Sequence, residues 1–267
     1  MSGAPGEADD LDARRFLRRL GSVPDASMRV ALWRESFESL EAERVLVRVR
    51  ATLDALPSRG PDARLAYEAL LLHLENQRGQ PDEGRRALYE AARLSDQDEV
   101  CALLRSAPAR RNATDGELRV EARDGDRDLS LGERRSIARS PLRGKLLRML
   151  YDPDPGVIAN LLGNPHLTEN DVVRIAARRP VAAASLIAVF RHPRWGHRPA
   201  VRRALVYNPY TPGALATGLV ALLDGQFLAE LATEPSVSEA VRSRARTLLS
   251  KDADVSLTDL EASLVED

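Results

Sequence analysis

Apolar residues recur along this chain at intervals of three and four, in runs of about ten that stop at glycine or proline, the spacing of one helical face. The pattern is most regular between Val157 and Pro212, where VIANLLGNP, HLTENDVVRIAARRP, VAAASLIAVFRHP, RWGHRPAVRRALVYNP and YTP follow one another. Punctuating prolines stand at Pro153, Pro165, Pro180, Pro193 and Pro209, spaced 12, 15, 13 and 16 residues apart. Proline lacks an N–H and pushes the preceding residue out of the helical region, so each marks a stop or a new first turn. A helix of about 9–12 residues plus a tight turn therefore recurs about every 14 residues, half the period of a paired-helix repeat.

The rest of the chain reads as helices of less regular length. Residues 1–10, acidic and rich in small residues, are expected to be disordered. An N-terminal helical lobe is expected over 11–107, with one long helical region running from a cap at Asp25 or Ser27 to about Leu56. Residues 108–128 carry scattered glycines and dense mixed charge, which predicts a linker or exposed loop, with a short extended piece at Leu118–Glu121. The repeat occupies 129–250, and 251–267 is an acidic tail or cap. The inward face of the repeat is expected to bury Leu161, Val173, Ile175, Leu186, Ile187 and Leu205. Helix should exceed about 60% of residues, well above the usual third, with no sheet of three or more strands.

Asn164-Pro165-His166-Leu167-Thr168 and Asn208-Pro209-Tyr210-Thr211-Pro212 lie 44 residues apart, each between two helices. These turns, with the later SEAVRSRARTLL, resemble the leucine-rich repeat variant and the HEAT and armadillo repeats. The segment PDPGVIANLLGNPHLTENDVVRIAARRP is similar to helical-repeat proteins of high-GC bacteria. The resemblance covers about residues 130–250 and implies an all-α fold, a right-handed α-solenoid of short paired helices preceded by the less regular lobe. The chain departs from the leucine-rich variant in its longer period and lacks an N-terminal cysteine cluster, so no iron–sulfur cofactor carries over. Whatever the family, Asn164, Pro165, Asn208 and Pro209 read as structural turn residues, because an asparagine amide can bond the free groups at helix ends.

Composition narrows the function classes. The net charge of −1 provides no global field for nucleic acid or a membrane. Only two residues are lysine, Lys145 and Lys251; the arginine excess fits either a coding bias or selection for bidentate anion contacts. One cysteine, Cys101, excludes an internal disulfide and fits a buried thiol in a reducing cytosol. No apolar run reaches the length of a membrane span, so a cytoplasmic protein is the expectation. No nucleophile elbow, phosphate-binding loop, H-E-x-x-H or C-x-x-C is present. No cofactor or metal is therefore expected, and the chain reads as a non-enzyme.

Local charge says more. Ser130–Tyr210 holds fourteen basic residues against five acidic, and Thr211 onward four against ten. Arg174 and Arg178 share one helix face, Arg202 and Arg203 lie on the next helix but one, and Arg191, Arg194 and Arg198 flank Trp195 on the turn between. If alternate helices line one surface, these eight residues form a basic strip for a protein partner with an acidic face. The bland alternatives stay open: arginines that merely solvate a rod, and a Trp195 that packs a gap between helices while His192 and His197 decorate the turn. The functional alternative is a nucleic-acid-binding HEAT-like repeat protein, resembling DNA glycosylases of that fold. The oligomeric state is not readable.

Overall fold

The computed structural model describes residues 5–57, 60–79, 82–105, 107–118, 123–124 and 127–265. Among them fifteen helices make the structure 69% helical, and the one extended feature is a two-residue antiparallel pair, β1 (Arg123–Asp124) with β2 (Arg127–Asp128). Two compact units emerge: the first comprises the described residues of Met1–Ser106, Asp224–Ala232 and Ser243–Asp267, the second those of Ala107–Leu223 and Thr233–Arg242. The helices after residue 223, expected to end the repeat, thus contribute most of their length to the first unit.

In the first unit α1 (Pro5–Ser22) packs on α3 (Ala42–Asp54) and α4 (Pro61–Asn76), α2 (Ala26–Ser39) on α4, and α3 on α5 (Glu83–Leu94), which meets α6 (Asp98–Leu104). Helix α1 begins at Pro5, inside the stretch expected to be disordered; residues 1–4 lie outside the described residues. Asp9 and Asp12 face Arg44 across α3, and Arg48 reaches Asp12 at 2.8 Å, which ties this polar segment down. The expected long helix from Asp25 to Leu56 is two helices. Asp25 does cap the first, accepting from Met28 N at 2.9 Å, but Leu40 turns extended (φ −109°, ψ 151°) and Glu41 starts the second. No glycine or proline marks that break; it lets α2 pack on α4 while α3 packs on α1. The core centres on Trp33, whose indole N–H donates to Ala66 O (2.9 Å) and whose ring meets Phe16 edge-on at 4.9 Å. Gly79, at φ 87°, follows α4 in a conformation that side-chain-bearing residues rarely adopt. Cys101 is buried and unpaired.

The second unit holds the short helices α7 (Leu131–Ala138), α8 (Arg143–Met149), α9 (Pro155–Leu162), α10 (Glu169–Ala177), α11 (Ala183–Arg191), α12 (Pro199–Tyr207) and α13 (Gly213–Val220). Helices two apart in sequence lie side by side: α7 with α9, α9 with α11, and α10 with α12. The described part of 108–118 is no free linker, since Arg111 N donates to Pro209 O, Gly213 N to Pro108 O and Ala214 N to Ala107 O. Of the piece expected at Leu118–Glu121, Leu118 sits in a turn and the rest lies outside the described residues. Leu161, Ile175, Leu186 and Leu205 are buried, whereas Val173 and Ile187 are half-exposed. In α10 the inward set is Asp171, Val172, Ile175 and Ala176, so the buried face lies to one side of Val173. In α11, Val189 and Phe190 fill the interior beside Leu186.

A ladder of side chains joins each helix end to the end two helices earlier. After α9, Asn164 donates to Ala138 O and Ser140 O at the end of α7, both at 2.9 Å. After α10, Arg178 donates to Asp152 O beyond α8 (3.0 Å). After α11, Trp195 Nε1 donates to Leu162 O at the end of α9 (2.8 Å). After α12, Asn208 donates to Ala176 O (2.6 Å) and Arg178 O (2.9 Å) at the end of α10. The last carbonyls of a helix have no partner within it, and these donors supply one from the next helix in the same layer. Beyond these units' interiors, no helix among the described residues is long and apolar enough to cross a membrane.

Candidate functional site

The arginines singled out above sit on α10 and its C-cap, at the end of α11, on the turn that joins α11 to α12, and on α12. Helix α10 starts at Thr168, which accepts from Asp171 N while Asp171 accepts from Thr168 N (3.0 Å) and Oγ1 (2.6 Å), a reciprocal cap. Asp171 is 1% exposed and also receives both terminal nitrogens of Arg143 from the start of α8, at 2.5 and 2.7 Å. Arg143, before the other groups around it, holds the Asp171 carboxyl down at about 2. Arg198, just before α12, lies 3.8 Å from Glu169 at the start of α10. Cap and ion pair together align the starts of α8, α10 and α12 in one layer.

That layer separates the eight arginine-strip residues into two groups. Trp195 is buried, donating to Leu162 O and stacked beside His192 at 6.3 Å between ring centres. Arg202 is buried too, its Nε bonded to Gly196 O at 2.9 Å. Arg178 is half-buried, spent on Asp152 O and lying 6.0 Å over the Tyr151 ring; burial lowers its pKa. These three hold the turns together and are withdrawn from the exposed face of the strip. The reason is packing: Arg178 and Arg202 are the first of their adjacent arginine pairs and Trp195 follows Arg194, and in each case the residue that turns inward reaches a carbonyl oxygen.

Arg174, Arg191, Arg194 and Arg198 are exposed, and Arg203 is half-exposed. Arg174 has no partner among the described residues. Arg194 lies 4.3 Å over the indole of Trp195 and reaches Leu167 O at 3.5 Å, so it covers the buried ring. Arg203 stands 5.7 Å over Tyr207. Because α10 and α12 are side by side, Arg174 and Arg203 project from neighbouring helices. Glycine is required at position 196 of the turn, where a Cβ would stand 1.9 Å from Phe190 O.

The turn's histidines are not arranged as ligands. His192 accepts from Arg194 N through Nδ1 (3.2 Å), with its pKa lowered by burial and then by Arg194, and His197 Nδ1 lies 2.9 Å from Pro193 O. Among the described residues no group of three His, Cys, Asp or Glu is placed to hold a metal ion. Asn164, Pro165, Asn208 and Pro209 occupy corresponding turns, with both asparagines buried in the ladder. The sequence reading missed Asp152, which is buried, accepts from Arg134 (2.6 Å) and Asp154 N (2.9 Å), and offers its carbonyl to Arg178. Its signal was present: Asp152-Pro153 occupies the same polar-proline slot as Asn164-Pro165 and Asn208-Pro209. Arg143 gave no signal, since its partner is 28 residues away.

No protein-family model, no curated protein and no solved structure matches the chain. The likeness to HEAT, armadillo and leucine-rich-variant repeats therefore rests on the residues that carry it.

Proposed function

We propose that this chain is a non-enzymatic helical-repeat scaffold whose second unit is a right-handed α-solenoid, and that an acidic protein surface docks on its α8–α10–α12 layer. The solenoid reading draws on helices that pack two apart and on the carbonyl ladder that repeats along them. The docking reading rests on one observation, the fate of the charges in that layer. Asp171 and Asp152 are buried under Arg143 and Arg134, and Glu169 faces Arg198, whereas Arg174 extends into solvent beside the helix that carries Arg203. A surface whose acids are consumed internally presents positive charge outward, and such a surface steers and orients an acidic one. The binding residues on this reading are Arg174, Arg191, Arg194, Arg198 and Arg203.

The test uses the full chain and an Arg174→Glu/Arg203→Glu variant. Each is immobilised and challenged with extract from the cells that make it; captured proteins are identified, and the affinity of the acidic one is measured against salt. The expected result is binding that weakens with salt and falls about tenfold or more in the variant, at an unchanged melting temperature. Equal affinity and an equal salt slope for the two chains would overturn the proposal. Salt-dependent retention on duplex DNA, lost in the same variant, would replace the protein partner with nucleic acid.

A further inference from the structure

Where α7 turns into α8 the surface opens into a cavity of about 610 Å³ lined by Ser136, Ile137, Arg139, Ser140 and Lys145. The lining holds two cations and two hydroxyls, and no carboxylate. The acids nearby in the chain are engaged elsewhere. Glu133 closes the cap on Ser130, Asp154 accepts from Val157 N and faces Arg135 at 3.5 Å, and Asp171 is taken by Arg143 and Thr168. Lys145 contrasts with the chain's other lysine, since Lys251 is paired with Glu99 at 2.7 Å. Lys145 and Ser136 are exposed and have no side-chain partner among the described residues.

The remaining groups are held in place. Arg139 donates through Nε to Arg135 O at 3.2 Å, which anchors one edge of the guanidinium and leaves the pair of terminal nitrogens at its end to other acceptors. Ser140 Oγ accepts from Leu142 N at 3.2 Å, which leaves the hydroxyl proton to donate. An ammonium and a guanidinium on one cavity wall repel each other, and an anion between them relieves that repulsion. A guanidinium fork, a point-charge ammonium and two hydroxyls match the several acceptor oxygens of a tetrahedral anion better than one carboxylate.

We infer that this cavity binds a tetrahedral oxyanion, inorganic phosphate or a phosphomonoester, through Arg139, Lys145, Ser136 and Ser140. Lys145 is on α8, but Arg174 and Arg203 do not line the cavity, so the variant that tests the docking reading leaves this site intact and the two can fail separately. The probe is sodium phosphate, titrated into the full chain at constant ionic strength while amide NMR shifts are followed, with sodium chloride as control. Saturable shifts confined to residues 136–145 are expected. The dissociation constant should rise about tenfold in Lys145→Gln, with saturation lost in Arg139→Gln/Lys145→Gln. Both side chains are exposed, so the variants should keep the folded spectrum outside the cavity. Shifts that grow linearly with phosphate, that chloride reproduces, or that survive unchanged in the double variant would overturn the inference. A phosphoserine peptide that saturates the same amides at least tenfold more tightly than free phosphate assigns the oxyanion to a modified chain; equal affinity assigns it to the free ion. Saturation by the unphosphorylated peptide counts against oxyanion recognition.

Discussion

At the scale of single residues, Asp171 carries the most consequential charge in the second unit. Four donors converge on its carboxylate, two from Thr168 and two from Arg143, and its pKa falls to about 2. A carboxyl whose folded pKa lies below its unfolded value of about 3.9 contributes stability above that value. The contribution disappears as pH falls from about 4 through about 2. Arg143→Gln should therefore lower the urea midpoint at pH 7, and only modestly, because Arg143 is 46% exposed and solvent screens the pair. Urea unfolding of wild type and variant should differ at pH 7 and converge at pH 2. An identical difference at both pH values would mean that the ion pair is not its origin. The Thr168–Asp171 spacing is readable as a helix start, but Arg143 is not readable as its partner, because nothing local joins residues 28 apart.

At the scale of elements, α7 to α13 have only 7–9 residues each and are too short to be stable alone, since about 12–15 residues are needed for even marginal helicity in water. What holds their ends is the ladder. Asn208 supplies two donors to the end of α10 and accepts from Tyr210 N at 3.0 Å. Asn208→Asp preserves the shape and the acceptor but removes both donors, leaving buried carbonyls unsatisfied. It should cost about 2–4 kcal/mol, and Asn208→Ala a similar amount. A denaturation midpoint unmoved by the aspartate would refute the donor role. The prolines made these turns visible in the sequence. By contrast the break at Leu40–Glu41 was invisible, because ordinary helix formers occupy it and only the packing of α2 and α3 on different neighbours requires a bend.

At the scale of the whole molecule, the repeated adjacency of helices two apart means that a defect is shared with neighbours in the same layer. Ile175 on α10 and Leu205 on α12 are both buried, and those two helices pack side by side. Ile175→Ala or Leu205→Ala should each cost about 2–5 kcal/mol. Hydrogen exchange should speed first in α10 and α12, and next in the helices they touch. If exchange accelerated uniformly across all described helices, the layer would not be the unit of cooperativity. Charge behaves differently at this scale: the basic excess of 130–210 is real, yet a part of it is spent inside, on Asp171, Asp152 and carbonyl oxygens.

The sequence alone determined the helical character and the cadence of the turns. Apolar spacing and proline act over a few residues, within reach of local reasoning, and helix at 69% follows from them. Asn164 and Asn208 stand between helices as their proline neighbours suggest, but the carbonyls that their amides bond lie 24–32 residues earlier, beyond any local pattern. Tertiary structure decided which arginines are available. Arg202 and Arg203 are adjacent in the chain, yet one is sealed against Gly196 O and the other is half-exposed, because successive helix positions differ by about 100° and the packed side takes whatever faces it. The same holds for Trp195, drawn inward by a carbonyl 33 residues earlier. It holds as well for the helices beyond residue 223, whose assignment between the two units depends on contacts that no local pattern records.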